Sequence, residues 1–230
     1  MPTVFMPFLG RLGNLLFQFA YAKKWCLENN YMLMTDAWIG EKVFEGFGPT
    51  PRRGQVKPDV VWSENYRQRQ ADLIYSRREA REWFKIRPEY LERLSRLDRE
   101  GPTELILSVR DGQDQKDGGL VCLSDESYRR AVAQFGYDIN GARWLRYTKP
   151  ETCEGFDTFR DGFGCGITTQ PFPSLYRMLR AKWFFRGVST FCWWGGVLTD
   201  AKVHAPVVRD IEGGKFNVDC FNWVEGNWPR

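Results

Sequence analysis

A chain of 230 residues with 43% hydrophobic and 16% aromatic content, including ten Trp and seventeen Phe, buries a sizeable core and is not a disordered tail. Its net charge of +4 suits an anionic ligand, while the lack of a dense Lys/Arg block argues against nucleic acid as a partner. No apolar run reaches the roughly 20 residues that a membrane span needs.

The opening "MPTVFMPFLG" lacks a basic start and a long apolar run, so it reads as a first strand and not as a signal peptide. "NLLFQFAYAKKWCLENN" follows as a helix. Leu12, Leu15, Leu16, Phe19 and Cys26 recur at helical spacing, with Phe17 and Tyr21 on other faces, as in a helix buried between layers. "YMLMTDAWI" reads as the next strand and "GFGPTPRRGQVKP" as a Gly/Pro-rich loop. From Asp59 to Lys85 the pattern is helical and heavily charged. Arg67, Arg69, Arg77, Arg78 and Arg81 alternate there with Glu79 and Glu82, which indicates a solvated face. Pro88 opens another helix with Leu91, Leu94 and Leu97 on one stripe.

After a break at Glu100–Pro102, "LILSVRDG" is a strand ending in a turn, and "DESYRRAVAQFG" is a helix closed by Gly136. "ARWLRYT" reads as a strand, "PSLYRMLRAKWFF" as a helix, and "GVSTFCWWGGVLT" as a turn leading into a further helix. "KVHAPVV" is a short strand, and the aromatic tail packs back on the body. The alternation implies parallel sheets with βαβ crossovers. The break at Glu100–Pro102 divides the chain into two similar halves, 1–100 and 101–230.

The six cysteines, Cys26, Cys122, Cys153, Cys165, Cys192 and Cys220, form no C-x-x-C pair and have no clustered histidine, so a zinc site is not expected. An even count permits disulfides, but a chain with its own core and no secretory signal favours free, buried thiols and a cytoplasmic location. The one histidine, His204, reads as structural.

Three stretches carry chemistry. In "LGRLGNLLF", Gly10 and Gly13 surround Arg11 between a strand and a helix. Such a turn lets the backbone approach a phosphate that faces the helix's first N–H groups, though the spacing is neither G-x-G-x-x-G nor a P-loop. The alternative is a turn that needs glycine for shape alone, with Arg11 solvated. In "LILSVRDGQ", Arg110 ends an apolar strand, where ligands of open α/β sheets bind and where a guanidinium can grip a phosphate with its fork; an ion pair with a carboxylate is the alternative. In "GVSTFCWWGG", Ser189 and Thr190 precede a helix as caps, or as an anion site together with the adjacent N–H groups. Trp193 and Trp194 read as core.

Together these stretches resemble the α1,2-fucosyltransferases, a family that shares features with the protein O-fucosyltransferases. "GRLGNLLFQFAYAK" resembles the N-terminal G-G-L-G-N-Q-M-F-Q-Y-A signature, and "STFCWWGG" resembles the S-x-[FY]-S-W-W-[GA]-A helix. "LSVRDGQ" stands where that family has H-x-R-R-G-D. The resemblance implies a GT-B fold of two Rossmann-like domains facing across a cleft. It also implies a metal-independent, inverting transfer of fucose from GDP-fucose to a glycan hydroxyl, without a cofactor. By it, Arg110 holds the donor pyrophosphate, Gly10, Arg11, Gly13 and Asn14 form the N-terminal motif, and Ser189, Thr190 and Phe191 touch phosphate and sugar. The chain departs from the family at Ser108 (histidine there), Asp111 (the second arginine), Gln113 (the aspartate) and Leu15 (glutamine). Asp36 and Asp111 are the candidate general bases. No D-x-D occurs, which argues against a carboxylate-held Mn²⁺ or Mg²⁺. A transferase using another nucleotide sugar, and a catalytically silent nucleotide- or glycan-binding module, are the competing readings.

Overall fold

The computed structural model describes residues 1–47, 51, 55–63, 67–68, 70–98, 101, 104–110, 123–147, 171–207 and 223–226. The chain divides into two compact units, Met1–Arg96 and Leu97–Trp228. Asp111, Gln113, Cys122, Cys153, Cys165 and Cys220 lie outside the described residues, as does most of the aromatic tail.

In the N-terminal unit, strand β1 (Thr3–Met6) lies between β2 (Met32–Thr35) and β3 (Val60–Val61), parallel to both. Helix α1 (Leu12–Asn29) crosses over from β1 to β2. It is buried along its length through Leu12, Leu15, Leu16, Phe17, Phe19 and Cys26, as expected of a helix that is apolar nearly all round. Burial pushes the Cys26 thiol up to about 12, which makes it inert at neutral pH. Asn30 ends α1 in the left-handed conformation. Beyond the short α2 (Gly40–Val43), the rings of Phe19, Trp38, Phe44, Phe47 and Phe84 form an aromatic core, with Phe19 and Phe47 stacked at 4.0 Å.

Among the described residues of the charged stretch 59–85, only the end is α-helical, contrary to its sequence pattern. Val60 and Val61 pair with β1, because the Asp59 carboxylate accepts from both the Thr3 amide (2.7 Å) and the Thr3 hydroxyl (3.0 Å). Residues Gln70–Asp72 form a single 3₁₀ turn. The helix proper, α3 (Arg77–Trp83), starts at a capping box between Ser76 and Glu79. The Lys24 ammonium and the Ser76 groups hold the Glu79 carboxyl down at about 2. Arg67 is not on a solvated face: its guanidinium lies over the Tyr21 ring at 4.4 Å and pairs with Asp72. In α4 (Pro88–Leu97) only Leu94 of the expected leucine stripe is buried; Leu91 is exposed.

The C-terminal unit is a five-stranded sheet, ordered β5-β4-β6-β7-β8. Strands β4 (Leu105–Arg110), β5 (Arg143–Tyr147), β6 (Trp183–Arg186) and β7 (Lys202–Pro206) run parallel, and β8 (Trp223–Glu225) closes one edge antiparallel. Side chains alternate by face. Leu105, Leu107, Val109 and Phe185 pack with Tyr128, Ala131 and Val132 of α5 (Asp125–Gln134). Ile106, Phe184, Leu145 and Val203 face the other way, with Met178 of α6 (Pro171–Leu179) and Phe191 of α7 (Thr190–Leu198). Residues 181–185 therefore correct the sequence expectation of a helix through Phe185. The helix stops at Leu179, and "WFFR" becomes an inner strand between β4 and β7, where aromatic residues are at home.

Trp194 is fully buried, and Trp193, half-buried, meets it edge-on. The Asp98 carboxylate, nearly sealed from solvent, receives Arg177 at 3.1 Å and Arg143 at 3.6 Å, tying α6 to the start of β5. None of the helices among the described residues is long and apolar enough to cross a membrane.

His204 is fully buried on β7, stacked on Phe185 at 4.4 Å, with Nε2 3.3 Å from the Tyr137 hydroxyl. Burial pushes its pKa from 6.5 down to about 4; Glu225 opposes this shift and Lys202 adds to it. The unfolded chain therefore binds a proton that the folded chain refuses between these values. The associated stability is present above about pH 6.5 and is lost as pH falls towards 4, on the order of 3 kcal/mol in all. Urea unfolding at pH 4 and 7 should show a smaller acid loss in His204→Gln than in the wild type; parallel losses would contradict the assignment.

Candidate functional site

In the N-terminal unit the candidate residues gather where β1 and β2 end. Pro7 follows the last residue of β1, and the loop turns at Gly10, whose φ is +83°. A Cβ there would also stand 2.2 Å from Asn14 Nδ2, so glycine serves both the turn and the close approach of Asn14. Helix α1 begins at Leu12, two residues earlier than its apolar pattern suggests. Arg11 occupies the N-cap position, with no side-chain cap and no acidic residue in the first turn. Its positive end is thus left uncompensated by protein carboxylates within that turn. Gly13 is buried in the first turn, and Asn14 Oδ1 accepts from Gln68 Nε2 at 2.9 Å. Asp36 is exposed beside this loop, its Oδ2 accepting from the Phe8 amide at 3.5 Å.

One residue of this arrangement was missed in the sequence. Gln18 is fully buried within α1, and its amide clamps the loop. Oε1 accepts from the Leu9 N–H (2.9 Å), while Nε2 donates to the Leu9 carbonyl (2.8 Å) and the Asn14 carbonyl (3.1 Å). The available signal was a lone amide on a helix that is otherwise apolar at that depth. Gln18→Leu keeps the size and strands both backbone groups of Leu9, so a loss of about 2–3 kcal/mol in urea unfolding is expected. An unchanged midpoint would show that water replaces the clamp.

In the C-terminal unit the candidates gather at the carboxyl ends of β4 and β6, which are neighbours with Ser108 opposite Arg186. Arg110 is the last residue of β4, opposite Tyr147 of β5. Ser108 is fully buried, its Oγ 2.9 Å from Cys192 Sγ, and its carbonyl accepts from the Tyr128 hydroxyl at 2.8 Å. The Ser108 side chain thus seats α7 on β4. Ser189 is the N-cap of α7, its Oγ accepting from the Cys192 N–H at 3.0 Å, and the first turn contains no acid. Thr190 is the first helical residue and not a second cap; Phe191 packs toward the sheet. Gly187 has no room for a side chain: a Cβ would lie 2.6 Å from the Ser108 carbonyl and 2.8 Å from the Tyr128 hydroxyl. The turn into α7 is thereby pressed onto the end of β4.

Arg186, the last residue of β6, was also passed over in the sequence, where it merely follows "WFF". Its guanidinium is deeply buried although the residue keeps some solvent access, and burial pushes its pKa below the ordinary arginine value. Among the described residues no group of His, Cys, Asp or Glu is arranged to hold a metal ion.

The arrangement is the one parallel α/β folds use for ligands, with strand ends and helix starts converging on one edge. The fold class is GT-B-like, with a Rossmann-like parallel sheet in each unit. It matches the crystal structure of NodZ α-1,6-fucosyltransferase soaked with GDP-fucose, at TM-score 0.55 and 11% identity over 99% of both chains. It also matches the same enzyme co-crystallised with GDP, at TM-score 0.51 and 12% identity over 99% of both. A structure of fucosyltransferase NodZ from Bradyrhizobium aligns at TM-score 0.47 and 13% identity, over 97% of this chain and 98% of that one. No family model and no curated protein matches the sequence.

Proposed function

We propose that the protein is a glycosyltransferase that moves fucose from GDP-fucose to a glycan hydroxyl with inversion and without a metal ion. The observation that carries this reading is the likeness, over 99% of the chain, to the fold of a fucosyltransferase soaked with GDP-fucose. The two motif resemblances support it, since "GRLGN" and "STFCWWGG" fall on the starts of α1 and α7. The motifs resemble α1,2 enzymes and the structural neighbour is an α-1,6 enzyme; GDP-fucose is the donor common to both.

In this reading the chemistry is electrostatic. Negative charge grows on the departing diphosphate, and Arg110, Ser189, Thr190 and the N–H groups that open α7 are preorganised to meet it. In the N-terminal unit, Gly10, Arg11, Gly13 and Asn14 shape a second helix start, that of α1, whose N–H groups suit an anion. Phe191 shapes the sugar side. The acceptor's proton goes to a carboxylate, Asp36 or Asp111, or to the departing phosphate itself.

The test is a panel of GDP- and UDP-linked sugars, read by thermal shift and by donor hydrolysis. GDP-fucose is expected to raise the melting point visibly in large excess and to turn over equally in EDTA and in Mn²⁺. Preference for a UDP-sugar would overturn the donor. Activity that dies in EDTA and returns with Mn²⁺ would overturn metal independence. Tight GDP binding without turnover on any acceptor would make the protein a binding module.

A further inference from the structure

We propose that Arg186 is an anion-binding residue of the C-terminal unit, closing its planar fork on a phosphate oxygen at the start of α7. The inference rests on the glycosyltransferase reading only in taking a sugar nucleotide's diphosphate as the natural occupant.

A buried guanidinium is costly unless an anion balances it. Among the described residues, the groups that act electrostatically on Arg186 are the Cys192 thiol and the Tyr128 phenol, neither of them a carboxylate. Among the described residues no carboxylate pairs with it. Among the described residues, of its five N–H donors, Nη1 reaches only the adjoining Gly187 carbonyl, at 3.3 Å, and Nε is sealed from solvent without a partner.

The placement sharpens the anomaly. Arg186 lies two residues beyond Phe184 on β6, on the sheet face that α6 and α7 cover, and opposite Ser108, whose hydroxyl meets Cys192 of α7. Helix α7 begins four residues later, with a serine cap and no acid in its first turn. A guanidinium and a helix N-terminus are both positive, and the tight Gly187 turn holds them together. Two positive groups gathered at one strand end are self-repelling until an anion joins them. A phosphate satisfies both, accepting the arginine's paired N–H groups and the backbone N–H groups of the first turn.

The experiment is calorimetry of GDP and inorganic pyrophosphate against the full chain, wild type, Arg186→Met and Arg186→Lys, with the melting point of each unliganded protein. Arg186→Met is expected to weaken both ligands by on the order of 10- to 100-fold, with an unliganded melting point equal to or above that of the wild type. Arg186→Lys keeps the charge without the fork and is expected to weaken them about tenfold; it carries the test if the methionine variant does not fold. Wild-type affinity in either variant would overturn the proposal. So would a lowered unliganded melting point with unchanged binding, since the arginine would then pair with a protein carboxylate. If the wild type binds GDP no better than pyrophosphate and Arg186→Met loses both, the anion site stands and the nucleotide reading falls.

Discussion

Arg110→Ala is expected to lower kcat by on the order of 10²–10³, the effect of removing one preorganised donor from a developing anion. Arg110 is the last residue of β4, beyond the four residues Leu105–Ser108 that pair with β6, so truncating it leaves the central ladder intact. The melting point should therefore hold while turnover of GDP-fucose falls. In the proposed transfer the charge being stabilised is greater in the transition state than in the bound donor, so kcat should fall further than donor affinity does. Arg110→Lys restores charge but not the fork, and should recover only part of the rate. Wild-type turnover in the alanine variant would remove Arg110 from the mechanism and, with it, the motif resemblance at "LSVRDGQ".

Trp194→Ala is expected to destabilise the C-terminal unit by about 3–5 kcal/mol, the range for emptying a buried aromatic site. Trp194 has no solvent exposure and lies in α7 beside Gly195, which is pressed so closely on Met178 and Phe184 that a Cβ there would come within 2.3 Å of the Met178 sulfur. The helix is thus seated at close range on both the sheet and α6, with little slack to collapse into the cavity. The loss should appear as a lower urea midpoint, together with weaker GDP binding, because the same helix carries Ser189 at its start. Trp194→Phe should cost much less. A tryptophan-to-alanine change of under about 1 kcal/mol would mean that α7 is not anchored by its core face.

Much of the fold was legible because the signals are local. The apolar periodicity of 12–29, the serine before "TFCWWGG" and Gly136 after "AVAQF" act within a few residues of themselves, and they mark α1, the cap of α7 and the end of α5. The charged run 59–85 misled for the opposite reason. Its alternating signs look helical, yet Asp59 is drawn to Thr3, 56 residues away, and Arg67 to the ring of Tyr21. Likewise "AKWFF" continues a helical pattern and becomes a strand because β4 and β7 offer it hydrogen bonds on both sides.

The candidate site divides in the same way. The sequence alone determined that the chain is a parallel α/β protein, that glycines and a serine open two of its helices, and that an arginine ends the first strand of the second half. These follow from backbone conformations and caps that neighbouring residues dictate. Only the tertiary structure decided that Gln18 clamps the loop ahead of α1, that Ser108 seats α7 through Cys192, and that Arg186 is buried without a described carboxylate. A side chain's burial and partners depend on residues that meet only when the chain closes, so their roles are set by packing and not by spacing.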